Sequence, residues 1–309
     1  MFLSIHRTIS RQDMTTPTIG FIGLGSMGKP MAQCLLQAGY SLAVYDTNAQ
    51  AVATLAQNER VSASATPADV AKRASIIITM LPTSAIVEQV LRGSDGVFSV
   101  VQPGSIIVEM SSGVPAATRA LAQEAQGHGA ALVDAPVSGG VSRANTGDLS
   151  IMFGGTDASL SIVEPVLRAM GSSVVRTGEV GSAHAMKALN NLVSAGGFLI
   201  GIEAILMGKR FGLDTEVMVD VLNASTGMNN STQKKFKQFV LSGKYNAGFG
   251  LELMVKDLGI ALGLDENHTA EFSQLCLKTW RAAAESLGKG ADHTELAKFI
   301  AQRCDVTLP

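Results

Sequence analysis

The tightest constraint on the fold lies near the front of the chain. A short apolar run at residues 18–23 (TIGFIG) leads straight into Gly23-Leu24-Gly25-Ser26-Met27-Gly28, and a helical pattern follows over 29–38. A lone G-x-G-x-x-G is weak. Here it joins a strand pattern to a helix, and a second strand pattern at 41–45 ends in Asp46, 18 residues after Gly28. That is the context a dinucleotide-binding βαβ unit demands. Gly23 permits the tight turn, Gly25 lets backbone approach a pyrophosphate, and Gly28 lets the helix pack on the sheet. The helix N-terminus, reached through Ser26 and Met27, offers N–H groups to the phosphates. Asp46 can accept hydrogen bonds from both ribose hydroxyls of NAD and would repel the 2′-phosphate of NADP. Thr47 and Asn48 follow it, with no arginine nearby to hold that phosphate. Asp46 could also cap the next helix, which is compatible with this role. The alternative for the whole motif is a glycine turn in an α/β fold that holds no nucleotide.

The alternation of strand and helix continues. Apolar runs at 75–80 (SIIITM) and 105–109 (SIIVE) have the unbroken character of strands buried in a parallel sheet. The first ends at Leu81-Pro82-Thr83 and the second at Met110-Ser111-Ser112. A third at 131–133 precedes Asp134-Ala135-Pro136-Val137-Ser138-Gly139-Gly140, read as a loop. Strand patterns at 149–153 and 173–176 flank a helix at 156–170 and complete the sheet. Ligands of open α/β sheets sit beyond the carboxyl ends of the strands, so these loops are expected to border one crevice. Ser138, Gly139 and Gly140 offer a hydroxyl and uncovered N–H groups suited to a small carboxylate. An ordinary Gly-Gly turn explains them equally well.

From Gly181 onward everything reads helical. The first helix opens GSAHAMKALNN, and Lys187 is its single Lys, Arg, Asp or Glu before Glu203. Helical spacing puts Asn190, Asn191 and Ser194 on the same side as Lys187. Desolvation lowers the pKa of a lysine among apolar neighbours and suits it to proton transfer. A lysine snorkelling off a core helix is the plainer alternative. Further helices are expected at 215–223, 231–242, 251–264, 270–287 and 294–303. Lys256 and Asp257 interrupt an apolar run (GFGLELMVKDL) and by propensity alone form a solvated face. The expected organisation is an α/β Rossmann-type NAD-binding domain over 15–178. An all-helical substrate and oligomerisation domain follows over 179–309, joined through the long Lys187 helix.

Composition narrows the function classes. Apolar residues make up 46% and charged residues 16%, and the net charge is −2, which suits neither a nucleic-acid binder nor a polyanionic tail. Cys34, Cys276 and Cys304 are far apart, and His6, His128, His184, His268 and His293 are scattered. Reduced thiols, a cytoplasmic location and no metal site are expected. The most apolar run, 192–202, has 11 residues where a membrane span needs about 20, so no span is expected. Residues 1–14 read as a disordered extension, or as a start placed ahead of Met14; as a mitochondrial presequence they are only weakly amphipathic.

Taken together, the chain resembles the β-hydroxyacid dehydrogenase family, that of 3-hydroxyisobutyrate dehydrogenase and tartronate semialdehyde reductase. The resemblance covers about residues 18–300. It rests on GFIGLGSMGKPMA at 20–32, DAPVSGG at 134–140, GSAHAMKALNN at 181–191 and LMVKDL at 253–258. It implies an NAD-dependent oxidoreductase interconverting a small 3-hydroxy carboxylic acid and its semialdehyde or ketone. It implies Lys187 as the catalytic lysine, with Asn191 beside it on the substrate and Ser138, Gly139 and Gly140 at the substrate carboxylate. Leu81, Pro82 and Ser112 would border the cofactor, and Lys256 would reach over it. A homodimer or homotetramer is implied as well. The family usually has Ser-Thr where this chain has Ser111-Ser112, and the segment from Lys256 to Trp280 is slightly shorter and lacks the family's common proline. Within the family, 3-hydroxyisobutyrate, tartronate semialdehyde, threonate and serine-type acids all stay open as substrates. 6-Phosphogluconate dehydrogenases carry Lys-x-x-His-Asn where this chain has Lys187-Ala-Leu-Asn-Asn, and imine reductases lack the lysine. A non-catalytic NAD-binding scaffold is the reading from a different class.

Overall fold

The computed structural model describes residues 17–308, so the reading of residues 1–14 lies outside the described residues. Branched apolar residues build the strands. β1 (Thr18–Ile22), β2 (Ser41–Tyr45), β3 (Val61–Ala63), β4 (Ile76–Thr79), β5 (Ile106–Glu109) and β6 (Ala131–Asp134) run parallel in the order β3-β2-β1-β4-β5-β6. The period of two along each strand sorts side chains onto two buried faces. Ile19, Phe21, Val44, Ile78 and Val108 pack on one face, and Ile22, Ala43, Ile77 and Ile107 on the other. The strand order reverses direction between β1 and β4, which opens a crevice at their carboxyl ends. β7 (Val137–Ser138), β8 (Ser150–Gly154) and β9 (Ser173–Gly178) extend the sheet. β8 is antiparallel to β6 and β7 and parallel to β9.

Between the strands lie α1 (Gly28–Gln37), α2 (Ala49–Leu55), α3 (Pro67–Ala71), α4 (Ser84–Arg92), α5 (Pro115–Gly127), α6 (Gly140–Asn145) and α7 (Asp157–Arg168). Side-chain oxygens of Asn48, Thr66, Thr83 and Thr156 accept from backbone N–H groups and start α2, α3, α4 and α7. Asp46 is therefore not the cap of the helix after β2; Asn48 is. The segment read as a loop at 138–140 is instead the end of β7 and the start of α6. Gly139, at φ 134°, turns the chain from one into the other.

Every regular element from Ser182 onward is helical among the described residues. α8 (Ser182–Phe211) runs 30 residues between glycines in left-handed conformation, Gly181 and Gly212. It exceeds the 11-residue apolar run noted above, and an 18-residue window of it has mean hydropathy 1.6, with 56% of that window buried. α9 (Thr215–Asn223), α10 (Asn230–Lys234), α11 (Leu251–Leu262), α12 (Glu271–Leu287) and α13 (Leu296–Arg303) complete the chain. Around α8, Phe198, Phe236, Val240, Trp280 and Leu296 form the core of this half. The single helix expected at 231–242 is broken. α10 ends before Lys235, whose backbone (φ −123°, ψ −42°) leaves the helical region, and a π-helical turn follows over Phe236–Leu241. The break seats the Phe236 ring against α8 at Gly201, where a β-carbon would stand 2.6 Å from it.

Candidate active site

A cleft of about 700 Å³ opens between the carboxyl ends of β1, β2, β4 and β5 and the helices α8 and α11. Gly23, Gly25, Ser26, Met27, Gly28, Asp46, Leu81, Pro82, Ser112, Gly140, Lys187 and Lys256 all line it. Of the positions expected from sequence, Ser138, Gly139 and Asn191 do not.

The dinucleotide end is built by glycine. A β-carbon on Gly28 would stand 1.9 Å from the Gly23 carbonyl oxygen, and one on Gly23 would stand 2.2 Å from the Met80 carbonyl oxygen. One on Gly25 would meet nothing within 4 Å. α1 has no side-chain cap; Lys29 N–H bonds the Gly25 carbonyl at 3.1 Å and Pro30 has no N–H, which leaves the turn's own N–H groups up to Gly28 for a ligand. Asp46 closes the turn from outside. Its Oδ2 accepts from Leu24 N at 2.5 Å and its Oδ1 from Asn48 N at 2.7 Å. The bare helix terminus, the open Gly25 and the carboxylate at the end of β2 fit a dinucleotide.

Lys187 is half-buried on the cleft side of α8. Among the described residues no carboxylate lies within 4.0 Å of its ammonium. Burial pushes its pKa below the usual lysine value; the Lys256 charge acts in the same direction and the Asp257 carboxylate opposes both. Asn191, one turn on, is buried and donates to Asp257 Oδ2 at 2.6 Å. Asn190 is half-buried and donates to Asn191 Oδ1 at 3.3 Å. Lys256 Nζ reaches across from α11 to the carbonyl oxygens of Ser112 (2.8 Å) and Pro82 (3.5 Å), and lies 3.3 Å from Asp257 Oδ1.

Asp257, read by propensity as part of a solvated face, is 1% exposed. The signal for its burial was present: Met254, Asp257, Leu258 and Ala261 recur at helical spacing and all are buried. Phe249, also on the cleft wall, was not singled out from sequence.

A second group missed from sequence fastens α8 to the sheet. Glu109 and Asp134 face each other at the ends of β5 and β6, and His184 descends between them from α8. His184 Nε2 lies 2.8 Å from Glu109 Oε2, and its Nδ1 lies 2.8 Å from Thr118 Oγ1. Asp134 accepts from the backbone N–H groups of Gly181 and His184 at 2.7 and 2.8 Å. All three ionisable side chains are buried. Burial works against the His184 imidazolium, yet the Glu109 charge and hydrogen bond raise its pKa above the ordinary value. Burial likewise works against ionised Glu109, and His184 holds its pKa below the usual carboxylate range. For Asp134 burial prevails and the pKa is raised. Lys187 thus stands one turn beyond a buried ion pair that sets the position of its helix.

Ser138 is half-buried and pairs with Ser150 of β8, while Gly139 and Gly140 are exposed at the start of α6. An alanine at 139 would meet the Arg143 side chain at 2.9 Å as well as strain the backbone. At 140 (φ 67°) a β-carbon would enter open space.

Comparison with known proteins agrees with this geometry. Residues 18–178 match the family model described as the NAD binding domain of 6-phosphogluconate dehydrogenase. Residues 181–300 match that of the NAD-binding of NADP-dependent 3-hydroxyisobutyrate dehydrogenase. The chain is 39% identical to 2-(hydroxymethyl)glutarate dehydrogenase of Eubacterium barkeri over 79% of this chain and 81% of that protein. It is 38% identical to the mitochondrial 3-hydroxyisobutyrate dehydrogenase of Homo sapiens over 84% of this chain and 78% of that protein. The solved 3-hydroxyisobutyrate dehydrogenase of Mycobacterium tuberculosis with L-serine superposes with a TM-score of 0.84 at 27% identity, covering 92% of this chain and 99% of that one. The chain belongs to the β-hydroxyacid dehydrogenase family and is a nicotinamide-dinucleotide-dependent hydroxyacid dehydrogenase.

Proposed function

We propose that this enzyme prefers NAD to NADP and interconverts a small 3-hydroxy carboxylic acid and its semialdehyde, with Lys187 exchanging the hydroxyl proton. The observation that carries the reading is the Lys187 ammonium, half-buried in the cleft that the glycine turn opens, with no carboxylate among the described residues within 4.0 Å. Bound along that turn, the dinucleotide supplies the hydride acceptor or donor. The protein does the rest. Neutral Lys187 takes the hydroxyl proton during oxidation and returns it during reduction. Asn191, behind the cleft wall, holds Asp257, whose side chain lines the cleft beside Lys187. Of Ser138, Gly139 and Gly140, the one that lines the cleft, Gly140, offers its N–H at the start of α6 to the carboxylate, which presents the 3-carbon for reaction. Asp46 favours a free ribose 2′-hydroxyl, and Lys256 ties α11 to the loops after β4 and β5, restricting water.

The relatives' names span 3-hydroxyisobutyrate and 2-(hydroxymethyl)glutarate, both of which carry a hydroxymethyl group next to a carboxylate-bearing carbon. Tartronate semialdehyde, threonate and serine-type acids complete the panel to test. Absorbance at 340 nm with that panel and each cofactor is the direct test. No turnover with any member would refute the reading.

We further propose a homo-oligomer formed through α8. Val193, Ile200, Met207 and Phe211 recur along one side of it, and Phe211 is 85% exposed. Light scattering should give a dimer or tetramer mass, and Phe211→Asp with Val193→Asp should lower it; a monomeric wild type would overturn this.

A further inference from the structure

Two basic side chains of the helical half grip consecutive carbonyls of the loop after β5. Lys256 Nζ, from α11, donates to Ser112 O at 2.8 Å, and His184 Nε2, from α8, lies 3.1 Å from Ser111 O. Met110, Ser111 and Ser112 line the cleft; His184 stands behind them and does not. The gripped loop is itself tied to its neighbours. Ser111 N donates to Glu109 Oε1 at 2.9 Å, and Ser111 Oγ accepts from Leu81 N at 2.8 Å, which joins the loops after β4 and β5.

The His184 ring is seated as well as bonded. A β-carbon on Gly113 would stand 2.8 Å from its Cε1 and 2.9 Å from its Nδ1, so the loop passes the ring with no room for a side chain. Gly113 does not adopt a left-handed conformation, so glycine serves the close approach there. Thr118 Oγ1, on α5, donates to Val114 O at 3.1 Å and therefore accepts from Nδ1 at 2.8 Å. Nε2 faces Glu109 Oε2 at 2.8 Å as well as Ser111 O. Both ring nitrogens thus act as donors, and acceptors on β5, its loop and α5 fix the plane of the ring.

The cleft has to align two transfers on one carbon–oxygen bond. A hydride passes at the loops after β4 and β5, and a proton passes at Lys187, three residues beyond His184 on the same helix. A misplacement of about 1 Å between such groups can cost on the order of 100-fold in rate. We infer that His184 is a positioning residue for the reaction, setting the register between the loop that borders the dinucleotide and the helix that carries Lys187. The inference rests on Lys187 being the proton carrier. His184 touches neither ligand and acts through Ser111 on one side and through one turn of α8 on the other.

Gly113→Ala tests this without altering the cleft lining or removing a charge. The added methyl has to displace the ring or the loop, and either movement shifts the register. When the enzyme–NAD complex is mixed with the fastest acid of the panel in single turnover, the rate of the 340 nm rise should fall by about tenfold or more. Calorimetric affinity for ADP-ribose, a probe of the glycine turn and Asp46, should stay within about twofold. His184→Gln should show the same split, and Gly113→Ala should add little to it, because the methyl then meets a side chain that can step aside. If His184→Gln does not fold, Thr118→Val, which removes the acceptor at Nδ1, takes its place. A packing role alone would move Tm and leave the transfer rate. An unchanged rate in either folded variant, fully additive losses, or a parallel loss of ADP-ribose affinity would overturn the positioning role; an inactive Lys187→Met would then still leave that lysine as the proton carrier. Near-normal turnover in Lys187→Met would overturn both.

Discussion

Asn191 and Asp257 join the two helices that face the dinucleotide turn, amide nitrogen to carboxylate oxygen at 2.6 Å, with both side chains buried. The carboxylate does two things at once: it fixes the Asn191 amide and opposes the loss of charge on Lys187. Asp257→Asn keeps an acceptor for Asn191 and removes the charge. The Lys187 pKa should then fall further. The rising limb of kcat/KM against pH for alcohol oxidation should move to lower pH, and an unmoved limb would separate Asp257 from the titration.

Lys187→Met keeps length and apolar packing while removing the proton carrier. Turnover should drop by at least about 100-fold, the usual scale for losing a general acid or base. NAD titration and thermal unfolding should stay near wild type. Lys187→Arg should not restore activity, because guanidinium keeps its proton at working pH. Near-normal turnover and an unchanged pH profile in Lys187→Met would make the lysine a packing residue.

These positions were unequally legible in the sequence. The dinucleotide turn was readable because its parts lie within one βαβ unit, where spacing is geometry. Lys187 was readable as the single charge in an apolar helical stretch. Asp257 was legible only through its spacing with Met254, Leu258 and Ala261; the Lys-Asp pair by itself reads as solvated until α8 is placed against it. Glu109, Asp134 and His184 were hidden by distance along the chain, since only the sheet register brings the two acids opposite each other. The start of α6 was missed because two adjacent glycines argue against a helix. There Gly139 turns the chain and Gly140 begins the helix.

Asp46→Asn removes the charge at the end of β2 and keeps an acceptor for one of the Leu24 and Asn48 N–H groups, which bond to different carboxylate oxygens. The NAD-to-NADP ratio of kcat/KM should fall by about tenfold, in line with one charge interaction on a phosphate. Equal use of both cofactors by the wild type would remove Asp46 from the selectivity.

The buried His184–Glu109 pair has a stability signature. The raised His184 pKa means its contribution is fully present below about pH 6.5 and is lost as pH rises through the folded value. The lowered Glu109 pKa means its contribution is present above about pH 4.3 and is lost as pH falls through the folded value. Asp134, held up by burial, acts in the opposite sense from about pH 3.9 upward, so wild type and variant are compared at each pH. Between those limits His184→Gln strands a buried carboxylate at a cost of about 3–5 kcal/mol, a Tm loss of roughly 6–12 °C. Adding Glu109→Gln should recover part of it. A Tm gap that stays flat with pH would mean the pair is neutral in the fold.

The three glycines of the turn carry different information. Gly23 and Gly28 exclude a β-carbon because the protein's own backbone already occupies that space, at 2.2 and 1.9 Å. A descendant that had abandoned nucleotides would still need both. Gly25 faces emptiness, and nothing in the polypeptide forbids an alanine there. Its bareness serves only a visitor. Of the three, only the middle glycine testifies to what the cleft receives.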